Sequence, residues 1–149
     1  MSGGLGRRKD FPGQWLFRGS MDFMCPPAAA VACRTLVVED DPAGCEVLIK
    51  VLRHLGHHAE CARTVHQSLR MFKLFNPSHV LLDLMLPDGN GAELLEYIRT
   101  NKLPTRVAVI TAAGPGRFLD EAMRHHPDAV FKKPWDLDEI RAFLQNGED

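Results

Sequence analysis

The sequence predicts a doubly wound α/β domain with five parallel strands in the order 2-1-3-4-5. Short apolar segments alternate with amphipathic helical ones, and a polar residue follows nearly every strand. The strands are apolar on both faces, which is typical of a parallel sheet covered by helices on each side and joined by right-handed crossovers. Ligands of such sheets bind beyond the carboxyl ends of the strands, so we expect the functional site there.

Length and composition predict one domain with a tail. The chain has 149 residues and a net charge of -1 at pH 7, which gives no basic field for nucleic acid or a membrane surface. Residues 1–33 are rich in Gly, Pro and charge without periodicity, and we expect a disordered or loosely attached leader. The folded domain is expected to span 34–146, with no effector domain and no membrane span.

The four cysteines predict the cellular compartment. Cys25, Cys33, Cys45 and Cys61 show no CxxC spacing, and two of them lie in or beside predicted core elements. Free thiols in a reducing compartment are the simplest interpretation, so we expect a cytoplasmic protein. The histidines show no zinc-site spacing.

The first two βα units follow from apolar periodicity and helix-start signals. A strand is predicted over 35–38, and Pro42 suits the first turn of the next helix. The buried stripe of that helix is expected to contain Val47, Leu48, Val51, Leu52 and Leu55. A second strand covers 58–61, and Thr64 and Gln67 have the spacing of a capping box for the second helix.

The remaining three units are read in the same way. A third strand is predicted over 80–84, followed by a turn at 87–91 and a helix that turns Leu94, Leu95 and Ile98 inward. The fourth strand covers 107–111 and precedes a short helix from residue 118. The fifth strand covers 129–131, and Asp136 and Glu139 cap the final helix.

Charged and polar side chains end four of the strands. Glu39 and Asp40 follow the first strand, Asp83 follows the third, Thr111 ends the fourth and Lys133 follows the fifth. The predicted strand order makes the first and third strands neighbours, so their carboxylates should lie close together. At about 5 Å and an effective dielectric near 20, each like-charge pair costs roughly 3 kcal/mol, so the acids need a counter-charge.

A hard divalent cation, Mg²⁺ or Mn²⁺, would supply that charge. Asp40, Asp83 and a backbone carbonyl offer the oxygen ligands it prefers, with Glu39 acting through water. A carboxylate can attack phosphorus, and Lys133 and Thr111 can stabilise the transferring group. The sequence therefore predicts that Asp83 accepts a phosphoryl group. Asp41 and Asp88, each taken alone, are interpreted as solvated loop residues.

Four motifs in this order resemble the receiver domain of two-component response regulators. They are VVEDD at 37–41, LDLMLPDGNG at 82–91, ITA at 110–112 and KPW at 133–135. The resemblance covers about residues 35–145 and implies a flavodoxin-like fold. It also implies a phosphoryl acceptor rather than a turnover enzyme, with a phosphohistidine on a sensor histidine kinase or histidine phosphotransfer protein as the donor.

The resemblance assigns a role to each strand-end residue. Asp83 would be the phospho-acceptor, Thr111 the switch hydroxyl and Lys133 the phosphate-binding lysine. Glu39 and Asp40, with the main-chain carbonyl of Met85, would complete the metal ligands around Asp83.

The sequence departs from the family pattern at two places. Val130 stands where the family often has a switching aromatic or histidine. Met85 and Ala113, two residues beyond the acceptor and two beyond Thr111, have no polar side chain to position an attacking water. We therefore expect a long-lived phosphoryl group.

Phosphorylation is expected to draw Thr111 inward, shift the loop 112–117 and remodel the face of the fourth helix, fifth strand and fifth helix. That face carries four basic candidate contacts for an unknown downstream protein, or for a phosphorylation-dependent homodimer: Arg117, Arg124, Lys132 and Arg141.

Other functional classes stay open as alternatives. A pseudo-receiver would bind partners without phosphorylation. An aspartyl-phosphate hydrolase usually has a second Asp where Met85 stands, and a dinucleotide-binding domain would need a glycine fingerprint that the chain lacks.

Overall fold

The structure, a computed structural model, describes residues 33–112 and 114–146. The predicted leader lies outside these residues except for Cys33, as does Ala113. Within the described ranges no helix is long and apolar enough to cross a bilayer. The elements in chain order are β1 Arg34–Val38, α1 Pro42–His54, β2 His58–Ala62, α2 Val65–Phe75, β3 His79–Leu82, β4 Met85–Leu86, β5 Gly89–Asn90, α3 Ala92–Thr100, β6 Arg106–Thr111, α4 Arg117–Arg124, β7 Ala129–Lys132 and α5 Leu137–Asn146.

Five parallel strands form the main sheet in the order β2-β1-β3-β6-β7. Since β6 and β7 are its fourth and fifth strands in sequence, the predicted order 2-1-3-4-5 is confirmed. Val38 pairs with Leu82, and Leu82 pairs with Val109, so the carboxyl ends of three central strands lie side by side. A small antiparallel hairpin of β4 and β5, which was not predicted, follows β3.

The core forms two layers, one on each face of the sheet. Alternate strand residues such as Leu36 and Val80 pack with α2, α3 and α4 in the first layer. Their neighbours Val37 and Leu81 pack with α1 and α5 in the second. This division explains why the strands are apolar on both faces.

Helix α1 is rotated relative to the sequence prediction. Leu48 and Leu52 are buried as expected, but Val47 is 51% exposed and the prediction for it was wrong. The third buried position is Cys45. Residues 45, 48 and 52 share one helical face, so the rotation turns the first turn of α1 toward β2 and leaves Val47 outside.

Local hydrogen bonds define the starts of the helices. Thr64 caps α2 by accepting from the Gln67 amide at 2.9 Å, as the sequence predicts. The Gln67 side chain accepts from the amide of Arg63, not of Thr64, so the capping box is displaced by one residue. At α5, Asp136 accepts from the Asp138 amide at 2.7 Å.

The expectation of free thiols was wrong. Cys45 and Cys61 form a disulfide between α1 and β2, with their Cα atoms 6.4 Å apart. Cys33 is also disulfide-bonded. The pairing of Cys45 with Cys61 depends on the packing of α1 against β2 across 16 residues, which no local spacing reveals.

Two buried histidines lie at the amino end of the sheet. His57 shares a 2.8 Å hydrogen bond with Thr35, and His79 shares one of the same length with Ser78. Their ring centroids are 5.6 Å apart, and neither Nε2 atom has a hydrogen-bond partner among residues 33–112 and 114–146. Burial lowers the pKa of both rings, that of His79 from 6.5 to about 4.

We predict that His79 makes the fold sensitive to acid. Burial, His57 and Arg106 all lower the pKa of His79, and Asp128 opposes them. Between pH 6.5 and pH 4 the unfolded chain therefore binds a proton that the folded chain does not, and stability falls as the pH falls. The contribution of His79 to the free energy of unfolding should decrease by about 2 kcal/mol between pH 7 and pH 5.

Urea denaturation of the wild type and of His79→Phe at both pH values measures this contribution. The phenylalanine variant keeps a ring at the site and removes the titration. Its free energy of unfolding should therefore fall by about 2 kcal/mol less than that of the wild type between pH 7 and pH 5. Leu74→Gln is the matched control, because it changes an exposed side chain that does not titrate and should leave the pH dependence of the wild type unchanged. Equal pH dependence in the wild type and in His79→Phe would contradict the prediction.

Candidate functional site

Backbone hydrogen bonds extend the sheet one residue past three strands and fix the residues that follow them. The amide of Glu39 donates to the Ala62 carbonyl, and that of Asp83 donates to the Val38 carbonyl, both at 2.9 Å. The amide of Lys133 donates to the Thr111 carbonyl at 3.0 Å. The predicted functional residues are therefore positioned by the main chain of the sheet itself.

Three carboxylates form an acidic cluster at this edge. Glu39, Asp40 and Asp83 each place an oxygen within 4.8 Å of the other two. Glu39 and Asp83 are buried, and Asp40 is exposed to solvent. This set of oxygen donors fits a hard divalent cation, which needs one or two carboxylates and keeps several of its waters.

Lys133 bridges the two buried carboxylates of the cluster. Its Nζ lies 2.8 Å from Oε1 of Glu39 and 3.1 Å from Oδ2 of Asp83. Burial by itself lowers the pKa of Lys133, but the hydrogen bonds with Glu39 and Asp83 outweigh burial and raise it. The ammonium therefore stays charged at neutral pH beside the predicted acceptor.

Thr111 and Met85 are the two remaining residues predicted for the site. Thr111 is buried at the end of β6, the strand next to β3. Met85 begins the β4–β5 hairpin, its amide donates to Oδ1 of Asp83 at 3.2 Å, and its side chain is 56% exposed. All the residues that the sequence predicts for the site thus lie at one edge of the sheet.

Gly91 allows the hairpin to close against the acceptor. A Cβ atom at position 91 would collide with the main-chain carbonyl oxygen of Asp83. The Gly91 amide also donates to the Leu84 carbonyl at 2.7 Å. The position of the Asp83 main chain therefore depends on a residue without a side chain.

Asp41 and Asp88 are exposed loop residues, as the sequence suggests, but each also caps a helix. Asp41 caps α1 by accepting from the Gly44 amide at 3.0 Å. Asp88 accepts from the Val65 and His66 amides at 2.8 and 3.0 Å, and these bonds, the one from His66 foremost, lower the pKa of Asp88. The Asp41-Pro42 pair is a recognisable helix-start signal, but Asp88 acts on a helix 23 residues away.

Two further hydrogen bonds involve the main chain of the segment that carries Glu39 and Asp40. The Asp41 amide donates to Oε2 of Glu39 at 3.2 Å. The Nε of Arg63 donates to the main-chain carbonyl of Asp40 at 3.1 Å. Arg63 was not predicted as a site residue, because it follows β2, the one strand of the first three without an acidic residue directly after it.

Solved structures with this fold cover most of the chain. A CheY-like response regulator receiver domain protein from Methanospirillum hungatei superposes with a TM-score of 0.72 and 24% identity, covering 79% of this chain and 98% of its own. A CheY-like receiver domain from Methylobacillus flagellatus gives a TM-score of 0.68 at 24% identity, covering 79% of this chain and 100% of its own. At these identities the likeness establishes the fold.

The sequence establishes the family. Residues 35–145 match the response regulator receiver domain, and the chain belongs to that family. Its members act in two-component signalling by phosphoryl transfer. The resemblance read from the four motifs is therefore confirmed.

Curated relatives are longer than this chain. The acid tolerance regulatory protein ActR of Rhizobium meliloti is 29% identical over 136 residues, covering 91% of this chain and 68% of ActR. The photosynthetic apparatus regulatory protein RegA of Rhodobacter capsulatus is 31% identical over 114 residues, covering 76% of this chain and 62% of RegA. The matched region is thus only part of these regulators.

We predict that Asp88 holds the start of α2 against the β4–β5 hairpin. In Asp88→Ala the amides of Val65 and His66 lose their acceptor, so they should exchange their hydrogens with solvent faster than in the wild type. Hydrogen exchange followed by NMR measures this. Glu96→Ala, which removes an exposed carboxylate of α3, is the control, and unchanged exchange at both amides of Asp88→Ala would refute the role.

Proposed function

We propose that Asp83 accepts a phosphoryl group in a reaction that depends on Mg²⁺ or Mn²⁺. The observation that carries the proposal is the placement of the Lys133 ammonium between Glu39 and Asp83, because a nucleophilic carboxylate beside fixed positive charge is what phosphoryl transfer requires. Family membership supports the same chemistry. The donor is a phosphohistidine of a sensor histidine kinase or a histidine phosphotransfer protein.

The transfer exchanges one bond for another. An Asp83 oxygen bonds to phosphorus as the bond between phosphorus and the imidazole nitrogen of the donor breaks, and the imidazole keeps the electron pair. Lys133 and the Thr111 hydroxyl stabilise the phosphoryl oxygens. Glu39, Asp40, Asp83 and the Met85 carbonyl would hold the metal, which supplies further positive charge to those oxygens when bound.

The output follows from the connection between Thr111 and α4. When the Thr111 hydroxyl turns toward the phosphoryl group, the loop 112–117 shifts and moves the start of α4. The face of α4, β7 and α5 then changes. It presents Met123 and Val130, 50% and 37% exposed, on elements that carry both basic and acidic side chains, and so suits a protein partner with an apolar patch or a second copy of the chain.

In this proposed function the chain acts as a cytoplasmic phosphoryl acceptor and not as a turnover enzyme. It has two rivals, and each makes a different prediction. A pseudo-receiver would bind partners and take up no phosphoryl group. An aspartyl-phosphate hydrolase would turn over a phosphorylated substrate, although Met85 offers no general acid for that reaction.

The first test is labelling by a small phosphoryl donor. Incubation with acetyl phosphate and Mg²⁺ should add one phosphoryl mass to the intact protein, because the Asp83 carboxylate is the nucleophile. Mass spectrometry measures the gain. Asp83→Asn and a chelator should each abolish it, and Asp136→Asn, which alters an exposed helix cap, should not.

The outcomes separate the functional classes. Absence of the adduct under conditions that label a known receiver would reject the phosphoryl-acceptor function in favour of a pseudo-receiver. Continuous release of phosphate without a stable adduct would favour a hydrolase.

A second test concerns the lifetime of the phosphoryl group. The apolar Met85 side chain cannot orient water, so the adduct should persist, and Met85→Asn should shorten its lifetime about tenfold by adding an amide beside Asp83. Intact-mass spectrometry after removal of the donor measures the decay. Leu74→Asn, which changes an 83% exposed side chain on α2, is the control. Equal decay in the wild type and in Met85→Asn would contradict the role of Met85.

A further inference from the structure

The Cys45–Cys61 disulfide lies directly behind the acidic cluster. Cys45 is in the first turn of α1, and Cys61 is in β2, opposite Val37 of β1. Their Cα separation of 6.4 Å is within the range of about 4.4–6.8 Å that a disulfide spans. The bond thus joins α1 to β2 beside the Glu39 segment, which connects β1 to α1.

Both sulfur atoms face the main chain of Glu39. The Cys45 sulfur lies 3.2 Å from the Glu39 carbonyl oxygen, and the Cys61 sulfur lies 4.0 Å from it. The other groups of Glu39 belong to the proposed site, since its carboxylate accepts from Lys133 and from the Asp41 amide. A change at the sulfurs therefore reaches a proposed metal ligand through its own backbone.

The two cysteines differ in their access to solvent. Cys45 is only 7% exposed, whereas Cys61 is partly exposed on β2, an edge strand of the sheet. A small external thiolate would therefore attack the Cys61 sulfur, and the Cys45 sulfur would leave.

We propose that the Cys45–Cys61 pair is a reversible redox-modification site that tunes the acidic cluster through Glu39. The inference rests on the proposed function of that cluster. Disulfides of cytoplasmic proteins are usually transient and redox-sensing, which is consistent with a pair that cycles between two states.

The chemistry is a thiol–disulfide exchange with a low-molecular-weight disulfide such as oxidised glutathione. Two protein thiols become one protein disulfide while the external disulfide becomes two thiols. Two electrons pass from the protein sulfurs to the external ones, and the two protons end on the small thiols. Reduction reverses each of these changes.

The two states differ at the Glu39 carbonyl. In the disulfide the Cys45 sulfur has no proton, and its bond to Cys61 holds α1 to β2. In the reduced state the Cys45 thiol can donate a hydrogen bond to that carbonyl, while the sulfurs separate to non-bonded contact. Groups behind metal ligands commonly change metal affinity about tenfold or more, so Mg²⁺ affinity should differ about tenfold between the two states.

The first experiment establishes the pair itself. The full chain is equilibrated with oxidised glutathione or with dithiothreitol, alkylated and digested, and mass spectrometry should find the Cys45–Cys61 crosslink only after oxidation. Failure of the crosslink to form under any oxidant would overturn the proposal.

The second experiment measures coupling to the cluster. Mg²⁺ is titrated into both states by calorimetry, and hydrogen exchange of residues 39–41 is followed without metal. Cys45→Ser, which keeps a donor toward the Glu39 carbonyl but cannot form the bond, should match the reduced wild type under oxidising conditions. Cys33→Ser removes another disulfide-bonded cysteine at the opposite end of β1, and it should retain the redox response.

The results separate the inference from the proposed function. Equal Mg²⁺ affinity and equal exchange in the two states, with Mg²⁺ bound in both, would overturn the redox coupling and leave the acceptor function intact. Redox-dependent exchange without Mg²⁺ binding in either state would retain the redox pair and overturn the assignment of the metal site.

Discussion

The ammonium of Lys133 balances the charge at the edge of the sheet. Without it, Glu39 and Asp83 would be two buried carboxylates next to a third at Asp40, an arrangement that costs several kcal/mol by like-charge repulsion. The main chain of Lys133 is held by the Thr111 carbonyl, so the balance depends on the parallel pairing of β6 with β7. The charge balance of the site therefore depends on the order of the strands.

Much of this arrangement could be predicted, because it follows from rules that act along short stretches of chain. Strands apolar on both faces imply a parallel sheet, and the usual strand order makes the acid-ending strands neighbours. The structure places a carboxylate oxygen of Asp40 within 4.8 Å of one of Asp83 at that edge. The catalytic and metal-binding roles of these residues stay predictions, since proximity shows where groups are and not what they bind.

The rotation of α1, the disulfide and the cap of α2 by Asp88 could not be predicted, because each depends on contacts between distant segments. The rotation of α1, which exposes Val47 and buries Cys45, is set by its packing on β2, and the disulfide to Cys61 follows from the same packing. Asp88 caps a helix that precedes it by 23 residues. Periodicity identifies the helices but does not fix their rotation about the helix axis to within one residue. That rotation determines whether Cys45 faces Cys61.

Gly91 shows that the position of the Asp83 main chain depends on the absence of a side chain at residue 91. The hairpin closes on the Asp83 carbonyl because position 91 has no side chain, and even a methyl group there would push the two backbones apart. Such a residue contributes no side-chain functional group and no charge. Evolutionary change at the acceptor edge is therefore restricted by backbone clearance as well as by chemistry, and a survey limited to reactive side chains would overlook the restriction.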